Sequence, residues 1–207
     1  DVGCGPGFAA LDLARLVGAR SGDRPRGEVV GVDESQSYLD FLARQAAAQG
    51  LRNLHTHHVD AVQLEHAVSI APASFDFAYA RWLMCFVTEP AAVIRGVARA
   101  LRPGGAFIVQ DYFNYAMPTA PHSPAFARGV AATGRSWRSR GGDPDVVGRL
   151  PGLLEAAGFQ VTHLDVHQRL ARPGEPMWHW PQTFWTNFLP VLVGMGLLTE
   201  DDRAAWH

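Results

Sequence analysis

Lysine is missing: all 18 basic residues of this 207-residue chain are arginine. A Schiff-base lysine, a P-loop lysine and a kinase-type ATP lysine are therefore excluded, since each needs a primary amine at the reacting centre. Cysteine is nearly absent too, with only Cys4 and Cys85, too few for a disulfide framework. No apolar run reaches the ~18 residues of a membrane span, and no stretch reads as a signal peptide. The expectation is a soluble cytoplasmic protein without membrane insertion. Charge of one sign is lacking as well. With 20 acidic residues against the 18 arginines the net charge is −2, so no broad cationic surface is available to recruit nucleic acid or anionic lipid.

What is present is apolar residue (47%) with 21 glycines and 14 prolines, enough for one loop-rich domain spanning 1–207. Strand-like apolar runs alternate with helix-period segments, the pattern of an α/β fold with a mostly parallel sheet and helices on both faces. Strands are expected at 28–33, 53–59, 75–80, 105–111 and 159–167. Ala10, Leu13, Ala14 and Val17 share one helical face, as do Leu39, Leu42, Ala43 and Ala46, with Ser35 as N-cap and Gly50 past the end. A third helix opens on Glu89-Pro90, carries Val93, Val97 and Leu101 inward and stops at Arg102-Pro103-Gly104-Gly105. Residues 112–142 read as loop with a short helix near 124–133. Asp143-Pro144 reads as an N-cap and N1 pair, and Pro151 as a break in the following helix, which ends at Gly158. A helix over 181–193 and another from Thr199 close the chain. Both ends read as cut, because a glycine loop at Asp1 calls for a strand in front of it and His207 falls inside a helix pattern.

Asp1-Val2-Gly3-Cys4-Gly5-Pro6-Gly7 runs directly into a helix, where glycines let the backbone turn tightly and approach a ligand. It fails the G-x-G-x-x-G fingerprint, since Phe8 stands where the third glycine belongs. The carboxylate of Asp1 would repel a pyrophosphate and attract an ammonium group. Counting the strand expected in front of Asp1 as the first, Asp33 ends the second strand and Glu34 follows it. Asp60-Ala61 follow the third, Arg81-Trp82 the fourth, and Leu101–Gly105 lead into the fifth.

Four segments in this order and spacing resemble the class I S-adenosylmethionine-dependent methyltransferases, specifically the small-molecule group typified by the ubiquinone and menaquinone biosynthesis enzymes. The resemblance covers 1–111, which it makes the cofactor-binding half, and leaves 112–207 as the substrate side. It implies S-adenosylmethionine as cofactor, held by Asp1, Gly3, Cys4, Gly5 and Gly7 at its methionine end, Asp33 and Glu34 at the ribose, and Asp60 and Ala61 at the adenine, with Arg81 and Trp82 lining the pocket. It further implies in-line transfer of the methyl group to oxygen, nitrogen or carbon of a small acceptor. A nicotinamide-dependent oxidoreductase and a non-catalytic relative are the alternatives. Asp1 and Phe8 argue against the first.

An oxygen acceptor would need a base. Asp111, Tyr112, Tyr115, His122 and His179 are the available groups, and Asp111 and Tyr112 directly follow the fifth strand, on the edge where open α/β sheets bind ligands. His55, His57 and His58 with Asp60 are metal-type ligands, but strand alternation points His58 away from the other two, so exposed, unliganded histidines and no metal are expected. Cys4 lacks a nearby histidine and is read as filling space. Trp178, Trp180, Phe184, Trp185 and Phe188 form either a buried helix face or the wall of an acceptor pocket. The lid reading covers 176–190 and singles out Trp178 and His179, placed by Pro176 and Pro181 in a non-helical stretch. Oligomeric state is left open.

Overall fold

The computed structural model describes residues 1–18, 27–113, 115–117 and 119–206. Among these residues, seven α-helices and four strands occur in the order α1 (Phe8–Gly18), β1 (Val29–Asp33), α2 (Gln36–Ala48), β2 (Leu54–His58), β3 (Phe75–Arg81), α3 (Pro90–Ala100), β4 (Leu101–Gln110), α4 (Pro124–Arg138), α5 (Leu150–Ala156), α6 (His179–Gly194) and α7 (Glu200–Ala204). Short 3-10 turns at Ala61–His66, Val146–Gly148 and Pro176–Trp178 lie among them.

β1 pairs in parallel with β2, and β3 in parallel with β4. Val2 joins the two pairs by bridging in parallel to Val32 on one side and Ala80 on the other. The order across the sheet is thus β2, β1, Val2, β3, β4. Successive residues of β1 face opposite ways. Val30 and Val32 meet a core of Val2, Ala80, Val93, Ile94, Val97 and Leu150, whereas Val29 meets Cys4, Ala10, Leu11, Ala14, Leu39 and Leu42. α1 and α2 therefore cover one face, and α3 and α5 the other. A third cluster, Val130, Ala132, Trp185, Leu189, Leu192 and Leu198, ties α4 to α6 and the segment before α7.

The caps follow local chemistry. Ser35 accepts the Tyr38 N–H at 3.4 Å, and Gly50 follows the end of α2 at φ +67°. Ser123 accepts from Phe126 at 3.2 Å with Pro124 in the first turn. α4 runs to Arg138, five residues past its expected end. Its glycines do not break it, and Gly129 lets the Trp206 ring lie against the helix where any Cβ would collide.

Several expectations need correction. The run 159–167 is not a strand: Phe159 packs on Phe107 at 6.0 Å, but beyond it Leu164, Val166 and Leu170 are exposed. Alternation alone cannot make a strand where no neighbour takes up its backbone hydrogen bonds, and among the described residues β4 pairs only with β3. Leu101 begins β4 instead of ending α3, pairing with Phe75. The α1 face turns inward through Leu11, leaving Val17 exposed, and Ala43 of α2 also faces outward. Asp143 caps no α-helix; it accepts from Asp145 N–H at 3.0 Å ahead of a 3-10 turn. Pro151 breaks nothing, since it sits in the first turn of α5, where a missing N–H costs no hydrogen bond. Trp178 ends a 3-10 turn and His179 opens α6, so both have helical backbone, contrary to the non-helical expectation. Pro181 falls in the first turn of α6 and is tolerated for the same reason as Pro151.

Candidate functional site

The loop between Val2 and α1 lies at the carboxyl edge of the sheet. Gly3, Gly5 and Gly7 have φ of +64°, +53° and +84°, a region that costs any other residue. Their surroundings separate their roles. A Cβ on Gly3 would come within 2.6 Å of Leu83 and one on Gly7 would collide with Leu42, while one on Gly5 would meet nothing within 4 Å. Gly3 and Gly7 are thus demanded by packing, and Gly5 borders open space. Leu83 went unread in the sequence, and Leu42 was read only as part of a helix face, because both are distant along the chain from the loop they shape.

Asp33 anchors the loop. Its Oδ2 accepts from Gly5 N–H at 2.8 Å and its Oδ1 from Ser35 N–H at 2.9 Å. Asp1 carries a buried Oδ2 with no hydrogen-bond partner among the described residues, an arrangement that is costly unless a donor arrives. Asp60, exposed at the end of β2, accepts from Val62 N–H at 2.9 Å, and Ala61 behind it is buried. Glu34 is exposed, and its carbonyl meets His58 Nε2 at 2.7 Å. None of these four carboxylates pairs with an arginine among the described residues, whereas eight other acids do. The edge therefore presents unpaired negative charge beside glycine backbone.

Cys4 is buried, and that burial pushes its thiol up to about 11. It stays a protonated space-filler. β2 lies at the sheet edge with His55 and His58 exposed, and no group of three potential ligands comes together among the described residues.

Across the edge stands a cluster of rings. Trp82, next after β3, stacks near-parallel with Tyr112 at 6.2 Å and meets Trp180 at 5.7 Å. Tyr112 packs on Tyr115 at 5.0 Å, and both pack on Trp137 at 5.4 and 4.7 Å. The guanidinium of Arg81 lies 5.1 Å from the Trp82 ring centre. Of the five basic candidates, the fold brings together Asp111, Tyr112 and Tyr115. Burial raises the pKa of all three, and the two phenols are held well above the usual tyrosine range. Asp111 is occupied by backbone: it accepts from Cys85 N–H at 3.2 Å and Tyr112 N–H at 2.8 Å. His122 is exposed ahead of α4, outside the contacts of this cluster, and His179 is exposed on α6 one residue from Trp180. Trp137 and Phe86, which meet edge to face at 4.9 Å, were not anticipated. Trp137 sits near the end of a helix expected to stop earlier, so its face was never assigned.

A parallel doubly wound sheet with a glycine loop and acidic residues at successive strand ends is a Rossmann-like nucleotide-binding architecture. Comparison with known families defines it further. The chain belongs to the methyltransferase domain family, whose model matches residues 1–136, and so to the S-adenosylmethionine-dependent class. It is 33% identical over 160 residues to a trans-aconitate 2-methyltransferase of Methylobacterium radiotolerans, covering 77% of this chain and 53% of that one. It is 30% identical over 105 residues to a ubiquinone biosynthesis O-methyltransferase of Neisseria meningitidis, covering 51% of this chain and 40% of the other. The chain spans about half the length of the curated relatives it matches. A SAM-dependent methyltransferase from Aquifex aeolicus shares the fold, with a TM-score of 0.57 at 19% identity over 79% of this chain and 72% of the other. The [4+2]-cyclase SpnF superposes with a TM-score of 0.53 at 27% identity, over 76% and 50%.

Proposed function

We propose that the protein transfers the methyl group of S-adenosylmethionine to a small acceptor, with 1–111 binding the cofactor and 112–207 forming the acceptor side of one domain. The observation that carries this reading is the buried, unpartnered Oδ2 of Asp1 beside a loop whose central glycine opens to space. A carboxylate there fits the ammonium of the cofactor's methionine moiety, and Gly3, Cys4, Gly5 and Gly7 supply backbone that can approach it closely. Asp33 has a free lone pair on each oxygen beyond its two backbone bonds, enough to accept ribose hydroxyls. Glu34 stands beside it. Asp60 and the backbone of Ala61 fit the adenine, and Arg81 and Trp82 close the far side.

When bound, the cofactor supplies a methyl already activated on a positively charged sulfur. The chain's own residues orient the acceptor and exclude water, an effect worth up to about 7–11 kcal/mol when alignment is good. With the tyrosines held protonated and Asp111 engaged by backbone, a base is not the main contribution of this site. The near-neutral net charge of −2 supports a small-molecule acceptor over nucleic acid. No described helix is long and apolar enough to cross a membrane, and two buried free thiols suit the reducing cytoplasm. Titration with S-adenosylhomocysteine and with NAD is the test: saturable binding of the first and none of the second is expected. The reverse overturns the reading.

A further inference from the structure

The ring of Trp82 has no assigned purpose beyond closing the cofactor pocket, yet its backbone is held at a cost. Trp82 has φ +53°, and a bulky residue in the left-handed region persists only where its surroundings enforce it. Here the enforcement is visible: Trp82 N–H donates to Gln110 carbonyl at 2.9 Å, extending the β3–β4 ladder by one rung, and Leu83 next to it packs against Gly3. The left-handed turn swings the indole over the carboxyl edge. There it meets Tyr112 from the end of β4 and Trp180 from α6, a residue 42% exposed.

Three rings from three separate elements thus converge on one side of the cofactor loop, and among the described residues the charged group lying on them is the cation of Arg81. Aromatic faces favour stacked flat partners. They would also attract a cationic ligand, but Arg81 already occupies that role at 5.1 Å from the indole and repels a second positive charge. Resting on the methyltransferase reading, we propose that Trp82, Tyr112 and Trp180 form the seat for a flat, conjugated acceptor bearing no positive charge, and that Trp82 determines that specificity. A non-planar polyanion would gain from Arg81 but would find no flat surface it could match.

The experiment uses the full-length protein and three probes followed by equilibrium dialysis: 2-naphthoate, a flat anion; tricarballylate, a non-planar polyanion; and trimethyl(2-naphthyl)ammonium, a flat cation. Wild type is expected to bind naphthoate most tightly. Trp82→Gly relieves the backbone and removes the ring, so it should fold as well as wild type yet bind naphthoate about 5–10-fold more weakly. Trp82→Phe should restore most of the loss, and Trp180→Ala, at a partly exposed position, should weaken binding without loss of fold. Tighter binding of tricarballylate or of the cation than of naphthoate overturns the proposal, as does undiminished naphthoate binding by both Trp82→Gly and Trp180→Ala. S-adenosylhomocysteine titrated in parallel separates the two readings. If it fails to bind while naphthoate binding still depends on Trp82, the cofactor assignment falls and the ring seat stands.

Discussion

Asp33 Oδ2 accepts the N–H of Gly5 at 2.8 Å, so the last residue of β1 clamps the loop that leaves the neighbouring central strand. One carboxylate thereby shapes the loop, and it is the group proposed to accept the ribose hydroxyls. Replacing Asp33 by Ala is expected to weaken S-adenosylhomocysteine binding by about 1.5–3 kcal/mol, the usual loss for hydrogen bonds to a charged group. Asp33→Asn, which keeps one acceptor, should lose less. Calorimetric titration decides it, and equal affinity in a folded Ala variant would refute the assignment.

Gly7→Ala should act on the fold before it acts on binding. The new methyl collides with Leu42, which is fully buried, and the backbone must also hold a positive φ of +84°. Overpacking and strain together are expected to cost about 2–4 kcal/mol in urea unfolding. Gly5→Ala, with open space around its Cβ, should cost clearly less stability but impair cofactor binding.

Alkaline stability carries the signature of Cys4. Burial raises its thiol from 9.0 to about 11, so the fold holds the protonated form while the unfolded chain ionises earlier. The associated stabilisation is complete below about pH 9 and lost as pH climbs toward about 11, amounting to roughly 2–3 kcal/mol in all. Cys85, shifted in the same direction by burial and by Asp111, adds to the fall. Unfolding curves near neutral pH and at about pH 10.5 should converge for Cys4→Ala and wild type on the alkaline side. A constant gap between them would count against this account.

Within α6 the aromatics divide. Trp185 is 2% exposed among Phe126, Phe184 and Trp206, so Trp185→Ala should cost about 3–5 kcal/mol. Trp185→Phe should cost less, since it also removes an indole N–H that is buried without a partner. Trp178→Ala with His179→Ala should leave the melting temperature within about 2 °C of wild type and change the acceptor KM instead. A large thermal loss would place Trp178 in the core.

Among the acid–base candidates, replacing His122 and His179 by Gln should leave the pH profile of kcat unchanged, because both are exposed. Activity should survive EDTA, since the activated methyl needs no Lewis acid. Loss of activity on chelation and its return with Mg²⁺ would show otherwise.

Reading the chain alone located the elements whose signals are local. Ser35 with Gly50, Pro90, and the repeated apolar positions of α2 and α3 each carry their own cap or period, and the glycine loop and strand-end acids keep a fixed order. What escaped depends on partners elsewhere. The 159–167 segment alternates as a strand does but finds no neighbour. α4 outruns its expected end, and Gly129 within it makes room for Trp206, seventy-seven residues away. The ring cluster joins positions 82, 112, 115, 137 and 180, a set that no spacing rule connects.

The cluster built on Trp185, Leu189 and Leu192 is separate from the two cores that grip the sheet, and the family model reaches only residue 136, near the end of α4. α4, α6 and the segment before α7 share a core of their own, whereas α5 belongs to the core that covers the sheet. On the proposed reading, substitutions inside that separate core should alter the acceptor side while the strands and the glycine loop keep their packing, so the choice of acceptor is expected to change without loosening the hold on the cofactor.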